Sequence, residues 1–292
     1  MNTIAGFTPE DIRKAAEEIK RKKPDFEKMI NLYESISIAQ EKAKESINLP
    51  EFKIPVEKLK LKHAEKFPLA VIPEFLIDYK VSEKLFMDIC DILTNTENEL
   101  SETVKNVSSL ASEKKIDLNR IFEAFIKEDE SPFDEIEEKL DIEKQVLGFL
   151  VYSALQPSLV SFSEMISVNL DKDNEWDKGY CPVCGSMPEL SLFEENGKRF
   201  LICGFCSHKW ASKRMYCPFC ENADHETLQY YSIDDEEEYR VDVCEKCKKY
   251  IKTIDIKKTT RTIYAPLEIR STPYIDIKFE EMGYKKGNTG ID

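Results

Sequence analysis

The chain has 292 residues, 41% of them hydrophobic and 34% charged, and a formal net charge of −14. That apolar content, with 16 phenylalanines, excludes a wholly disordered chain, and the length suits about two domains. The longest apolar stretch, Val146 to Leu155, falls far short of the ~20 residues a membrane span needs. The opening MNTIAGFTPEDIRKAAEEIK lacks the apolar core of a secretory signal, so a cytoplasmic protein without a membrane span is expected.

Along the chain, the first half predicts helices. Thr8-Pro9-Glu10-Asp11 supplies a capping hydroxyl, a proline for the first turn and two acids at the positive end of the helix dipole. That helix should stop near Pro24. From Asp25 to about Ile47, Phe26, Met29, Ile30, Tyr33 and Ile36 recur at steps of three and four, an amphipathic pattern. Ser82 is placed to cap a third helix carrying Leu85, Phe86, Ile89 and Leu93, with Cys90 on the same apolar stripe as a small buried hydrophobe. Leu118 to Ile126 and Ile136 to Leu155 read as two more, and Val146 to Tyr152 within the second is apolar on nearly all sides, as at the centre of a bundle.

A composition shift follows. From Asp177 onward there are 18 basic and 20 acidic residues, so nearly all of the net negative charge lies before it. The polar stretch Asp171 to Gly179 marks the boundary. Beyond it, Leu190 to Phe193 and Arg199 to Ile202 flank Asn196-Gly197, a strong hairpin signal because both turn residues tolerate positive φ. Leu228 to Ser232 and Tyr239 to Val243 form a second strand pair across an acidic turn, and Tyr250 to Ile254 adds a strand.

Eight of the nine cysteines fall in this region as four pairs of one kind: Cys181/Cys184, Cys203/Cys206, Cys217/Cys220 and Cys244/Cys247. Disulfides would need an oxidising compartment, and a thioredoxin-type site needs only one pair in a βαβ setting. Metal ligation fits best: two residues between cysteines let the chain fold as a knuckle, and two knuckles close a tetrahedral S4 site. The 18 residues between Cys184 and Cys203 contain the Asn-Gly hairpin, which brings the first two knuckles to one end of a ribbon. The 23 residues between Cys220 and Cys244 contain the second hairpin. One site therefore takes Cys181, Cys184, Cys203 and Cys206, and the other Cys217, Cys220, Cys244 and Cys247; cross-bracing of alternate pairs is the alternative. Two metal ions per chain are expected, Zn2+ or Fe, since four thiolates suit both. Glycine follows only the first of the four knuckles, at Gly185, which favours structural zinc over a rubredoxin-like iron centre. His63, His208 and His225 read as solvated, Trp210 and Phe219 as ribbon core, and no catalytic constellation is predicted. Lys248, Lys249, Lys252, Lys257, Lys258 and Arg261 suggest a basic strip, but acids interleave it.

The motifs CPVCGSMPELS from Cys181, CGFCSHKW from Cys203, RMYCPFC from Arg214 and YRVDVCEKCKKYIKTID from Tyr239 resemble the formate dehydrogenase accessory protein family, FdhE. So does the tail from Ile275 to Asn288, with its Gly283-Tyr284. Lys209 before Trp210 and Glu221 after Cys220 depart from the family pattern. The resemblance implies an α+β chain: an all-α helical domain at 1–175, then two rubredoxin-like or zinc-ribbon metal knuckle modules of short β-hairpins at 176–214 and 215–262, and a tail at 263–292 packed on them. It also implies a non-enzymatic role in maturing formate dehydrogenase by binding its catalytic subunit, with the eight cysteines as metal residues. The competing functions are a nucleic-acid-binding zinc ribbon, disfavoured by a sequence pI of about 5.0, and electron transfer through rubredoxin-like iron.

Overall fold

The computed structural model describes residues 6–96, 98–171 and 175–287. Lys172–Asn174 of the predicted boundary and Asn288 of the tail motif lie outside the described residues. The chain forms α1 (Pro9–Lys22), α2 (Glu27–Lys44), α3 (Val56–Glu65), α4 (Tyr79–Thr94), α5 (Ser101–Ser112), α6 (Leu118–Ile126), α7 (Ser131–Leu140) and α8 (Lys144–Ser167). Then come β1 (Pro188–Phe193), β2 (Arg199–Cys203), β3 (Lys209–Ser212), β4 (Leu228–Ser232), β5 (Tyr239–Cys244) and β6 (Lys249–Asp255), followed by α9 (Ala265–Arg270), α10 (Pro273–Glu281) and β7 (Lys285–Lys286). A helical region is thus followed by a β-rich one, as expected.

The capping signal at α1 works as read. The Thr8 hydroxyl accepts from the Asp11 backbone N–H while the Asp11 carboxylate accepts from the Thr8 N–H, closing a capping box. Two helix ends differ from expectation. The cap of α4 is Asp78, whose carboxylate accepts from Val81 N–H; Ser82 lies inside the helix and is buried. The run expected from Ile136 to Leu155 is broken at Asp141, which takes a left-handed conformation (φ 54°) and ends α7. Helix α8 then continues past Leu155, through Pro157, to Ser167. By length and composition its 24 residues suffice to cross a bilayer, but 72% of its most apolar window is buried within the fold.

Two compact units emerge, and neither is continuous in sequence. The first comprises Phe7–Glu51 with Ile72–Phe162. Its core holds Ile12, Ile30, Leu85, Phe86, Ile89, Phe122 and Leu150, all at most 2% exposed, with Phe86 and Phe122 meeting edge to face at 6.2 Å. Cys90 is fully buried here, and burial pushes its thiol up to about 12.

The second unit contains Phe52–Val71 and the chain from Ser163 onward. Its strands form one seven-stranded sheet in the order β3-β2-β1-β6-β5-β4, with β7 added against β6. Both predicted hairpins are present, as antiparallel β1–β2 and β4–β5. A parallel pairing of β1 with β6, from Leu190↔Lys252 to Phe193↔Asp255, joins the two ribbons into one sheet. One face carries Leu190, Leu192, Val241, Tyr250 and Ile254, which pack with Ile263, Ile275 and Phe279 from the chain after β6. Charges buried with that core are paired. Lys252 Nζ donates to the Asp276 carboxylate at 2.8 Å, and Arg261 pairs with Glu238 and Glu268. Lys252 and Arg261 are only 2% and 9% exposed, so the suggested basic strip does not form.

Candidate metal centres

Each Cys-x-x-Cys pair forms a turn: Cys203 and Cys244 are the last residues of β2 and β5, and Cys181 and Cys217 open turns outside the strands. In the first knuckle, Gly185 N–H donates to the Cys181 carbonyl at 2.9 Å, and Gly185 has φ +82°. The other three knuckles adopt the same left-handed residue after the second cysteine without glycine: Ser207 (φ 59°), Glu221 (58°) and Lys248 (54°). The bend points both sulfurs of a knuckle to one side and leaves backbone N–H groups facing them. Val183 N–H lies 3.4 Å from Cys181 Sγ, and Phe205 N–H lies 3.4 Å from Cys203 Sγ.

The four knuckles converge in sequential pairs, and cross-bracing is not what the fold does. Cys181, Cys184, Cys203 and Cys206 form one quartet and Cys217, Cys220, Cys244 and Cys247 the other, with all four sulfurs of each within 4.8 Å of one another. Sulfur separations are 3.7 Å for Cys181–Cys206 and 3.4 Å for Cys184–Cys203. In the second quartet they are 3.6 Å for Cys217–Cys247 and 3.7 Å for Cys220–Cys244. A tetrahedral ion with sulfur bonds of about 2.3 Å has edges of ~3.8 Å, so the spacing suits one metal ion per quartet.

Burial opposes ionising these sulfurs unless a cation shares the site. Burial pushes the Cys181 and Cys203 thiols well up, while hydrogen bonds from Cys181, Cys203 and Cys206 draw Cys184 well down. In the second quartet burial raises Cys217 and takes Cys247 to about 11. Cys244 falls to about 7, because the upward pull of burial is outweighed by N–H donors from Cys247 and Lys246 and by the Asn222 amide. Four thiolates at this spacing would repel one another strongly without an ion between them, and a divalent metal neutralises half of that charge.

The surroundings of the quartets differ. The first is wholly buried, and a chain segment more than a hundred residues away braces it: Leu69 and Ala70 N–H donate to the Pro182 and Val183 carbonyls, both at 2.9 Å. In the second, Cys220 and Cys247 are half-buried. Beside it a cleft open to solvent is lined by Cys217 and Cys244 together with Met215, Tyr230 and Arg240.

The remaining predicted residues take structural places. His208 is half-buried rather than solvated; burial takes its imidazole down to about 4, and its carbonyl accepts from Cys203 N–H. His63 lies 2.9 Å from the Asn169 carbonyl through Nε2. Trp210 is buried as expected, and Phe219 is half-buried. Sequence reasoning missed the bracing segment at 68–70, because backbone donors from a distant loop leave no side-chain signature.

Comparison with known proteins places these features. The family model "FdhE, central domain" matches residues 180–214, which hold the first quartet. A protein FdhE homolog from Aquifex aeolicus is 32% identical over 149 residues, covering 50% of this chain and 51% of the relative. Protein FdhE from Escherichia coli K12 is 28% identical over 142 residues, covering 47% of this chain and 45% of that protein. The matched stretch thus spans about half the length of the curated relatives. The crystal structure of the FdhE protein from Pseudomonas aeruginosa shares the fold, with a TM-score of 0.66 and 15% identity over 99% of this chain and 97% of that one. The family model thus places the resemblance to FdhE at the first quartet, and the shared fold extends along nearly the whole chain.

Proposed function

We propose that this FdhE-like chain is a non-enzymatic accessory protein for formate dehydrogenase, which binds the catalytic subunit in the cytoplasm during maturation. Cys181, Cys184, Cys203 and Cys206 ligate one metal ion in this reading, and Cys217, Cys220, Cys244 and Cys247 the second. The observation that carries it is a pair of closed sulfur quartets, the first inside the stretch that the FdhE central-domain model matches, in a fold shared with an FdhE protein over 99% of the chain. A site closed by four protein sulfurs keeps no open position for substrate, which supports a structural role for the metals rather than catalysis. A net charge of −14 opposes a nucleic-acid partner.

The test is a purified binding assay with the formate dehydrogenase catalytic subunit and, separately, with DNA and RNA. Cys181→Ala and Cys217→Ala each leave a three-sulfur site and should cut subunit binding sharply. Cys90→Ala, outside both quartets, should leave binding intact. Undiminished binding by both quartet variants would remove the metal region from the interface. Tight, salt-sensitive binding of nucleic acid would promote the zinc-ribbon reading, and a visible absorption band from bound iron would promote electron transfer.

A further inference from the structure

The two quartets are built from the same knuckle, yet the chain closes over them differently. In the first, all four sulfurs are buried, Leu69 and Ala70 bond to the knuckle backbone, and Pro68 stands 3.3 Å from where a Cβ on Gly185 would lie. In the second, two cysteines, Cys220 and Cys247, are half-buried, and the other two line an open cleft. Thr227, whose carbonyl accepts from Glu245 N–H at 2.9 Å, and Gly179, packed on the Pro218 carbonyl, brace it locally, and the C-terminal segment Gly283–Gly287 reaches both of its knuckles.

That segment contains the Gly-Tyr motif, to which the proposed function gives no role. Gly283 turns the chain out of α10 with φ +87°. Tyr284 then donates its hydroxyl to the Glu245 carboxylate, which lies between the two cysteines of the last knuckle, and the Lys248 ammonium sits 5.5 Å from the Tyr284 ring centre. Lys285 N–H donates to the Lys248 carbonyl at 2.8 Å, and Gly287 N–H to the Tyr250 carbonyl at 3.2 Å. The Phe219 ring, from the other knuckle of the quartet, packs so closely on Gly287 that an added Cβ would lie 1.8 Å from it. One five-residue segment therefore touches both knuckles of the second quartet.

We propose that Gly283–Gly287 is a latch on the second metal site, and that this site releases its metal and exposes its thiols before the first. The inference rests on the reading that each quartet holds a metal ion. Atoms outside the ligand set that fix ligand orientation commonly change metal retention by about 10- to 100-fold when removed, and the latch is such a group. With Cys220 and Cys247 half-buried, a chelator or thiol reagent reaches the second quartet while the first is still enclosed.

The experiment uses the full chain loaded with zinc, a limiting chelator and iodoacetamide, with intact mass giving the metal count and peptide mass the order of cysteine alkylation. The expected course is two metals, then one, then none, with Cys217, Cys220, Cys244 and Cys247 alkylated first. Gly287→Val, which forces Phe219 away, should speed loss from the second site by about tenfold and leave the first unchanged. Tyr284→Phe keeps the ring packing and removes only the bond to Glu245, so it carries the same test in milder form. Leu69→Pro deletes one N–H brace and should loosen the first site alone. Loss of both metals in a single step, or second-site rates unmoved by both latch variants, would overturn the latch. A chain that takes up no metal at all would instead overturn the reading beneath it.

Discussion

At three of the four knuckles a residue with a side chain occupies the left-handed region, which ordinarily costs about 1–2 kcal/mol. Ser207, Glu221 and Lys248 accept that cost because the knuckle must turn both sulfurs to one side. The absence of glycine there favoured zinc over iron in the sequence, but the backbone is the same at all four knuckles, so residue identity at this position does not discriminate the metal. The knuckle itself was legible, since the Cys-x-x-Cys spacing dictates it. Gly185→Ala should destabilise the metal-loaded protein by about 1–2 kcal/mol, from strain at φ +82° and contact with Pro68. Ser207→Gly relieves similar strain but returns part of it as entropy of the unfolded chain, leaving a net gain under about 1 kcal/mol. Thermal unfolding of the two variants beside the parent checks both signs.

Among the elements, hairpins and capped helices were readable because their signals are local. Asn196-Gly197 marks a turn, and Thr8 with Asp11 marks a helix start. The parallel pairing of β1 with β6 was not readable, because it joins strands some sixty residues apart and no turn residue announces it. Strand β3 and helices α9 and α10 escaped as well, being short and held by tertiary contacts rather than by periodicity. The pair of buried Lys252 with half-buried Asp276 fastens α10 to β6, and Lys252 also donates to the Ile269 and Thr272 carbonyls. Asp276→Ala strands a buried ammonium and should cost about 3 kcal/mol, read by denaturant unfolding. A change below about 1 kcal/mol would mean that the two carbonyls alone suffice to hold the charge.

Over the whole molecule, the break in composition near Asp177 separates a helical region from a sheet with sulfur quartets. It hides the fact that Phe52–Val71 returns to the sheet-bearing unit. That return depends on bonds such as Tyr180 Oη to the Lys66 carbonyl at 2.8 Å, which no pattern in either segment reveals. Metal binding should supply much of the folding free energy of the sheet-bearing unit, whose strands are short, while the helices of the other unit bury their own core. Chelation under reducing conditions should therefore unfold the chain from about Tyr180 onward and leave most of the helical signal in place. Circular dichroism with hydrogen exchange resolves the two parts; helical loss in step with metal removal would show one cooperative unit.

The account of the metal region depends on two closed sulfur sites. Elemental analysis combined with X-ray absorption on protein purified without added metal tests them together. The account predicts two metal ions per chain, each with four sulfur neighbours, at about 2.3 Å if the metal is zinc. A single ion per chain, or nitrogen or oxygen in place of sulfur, would contradict it.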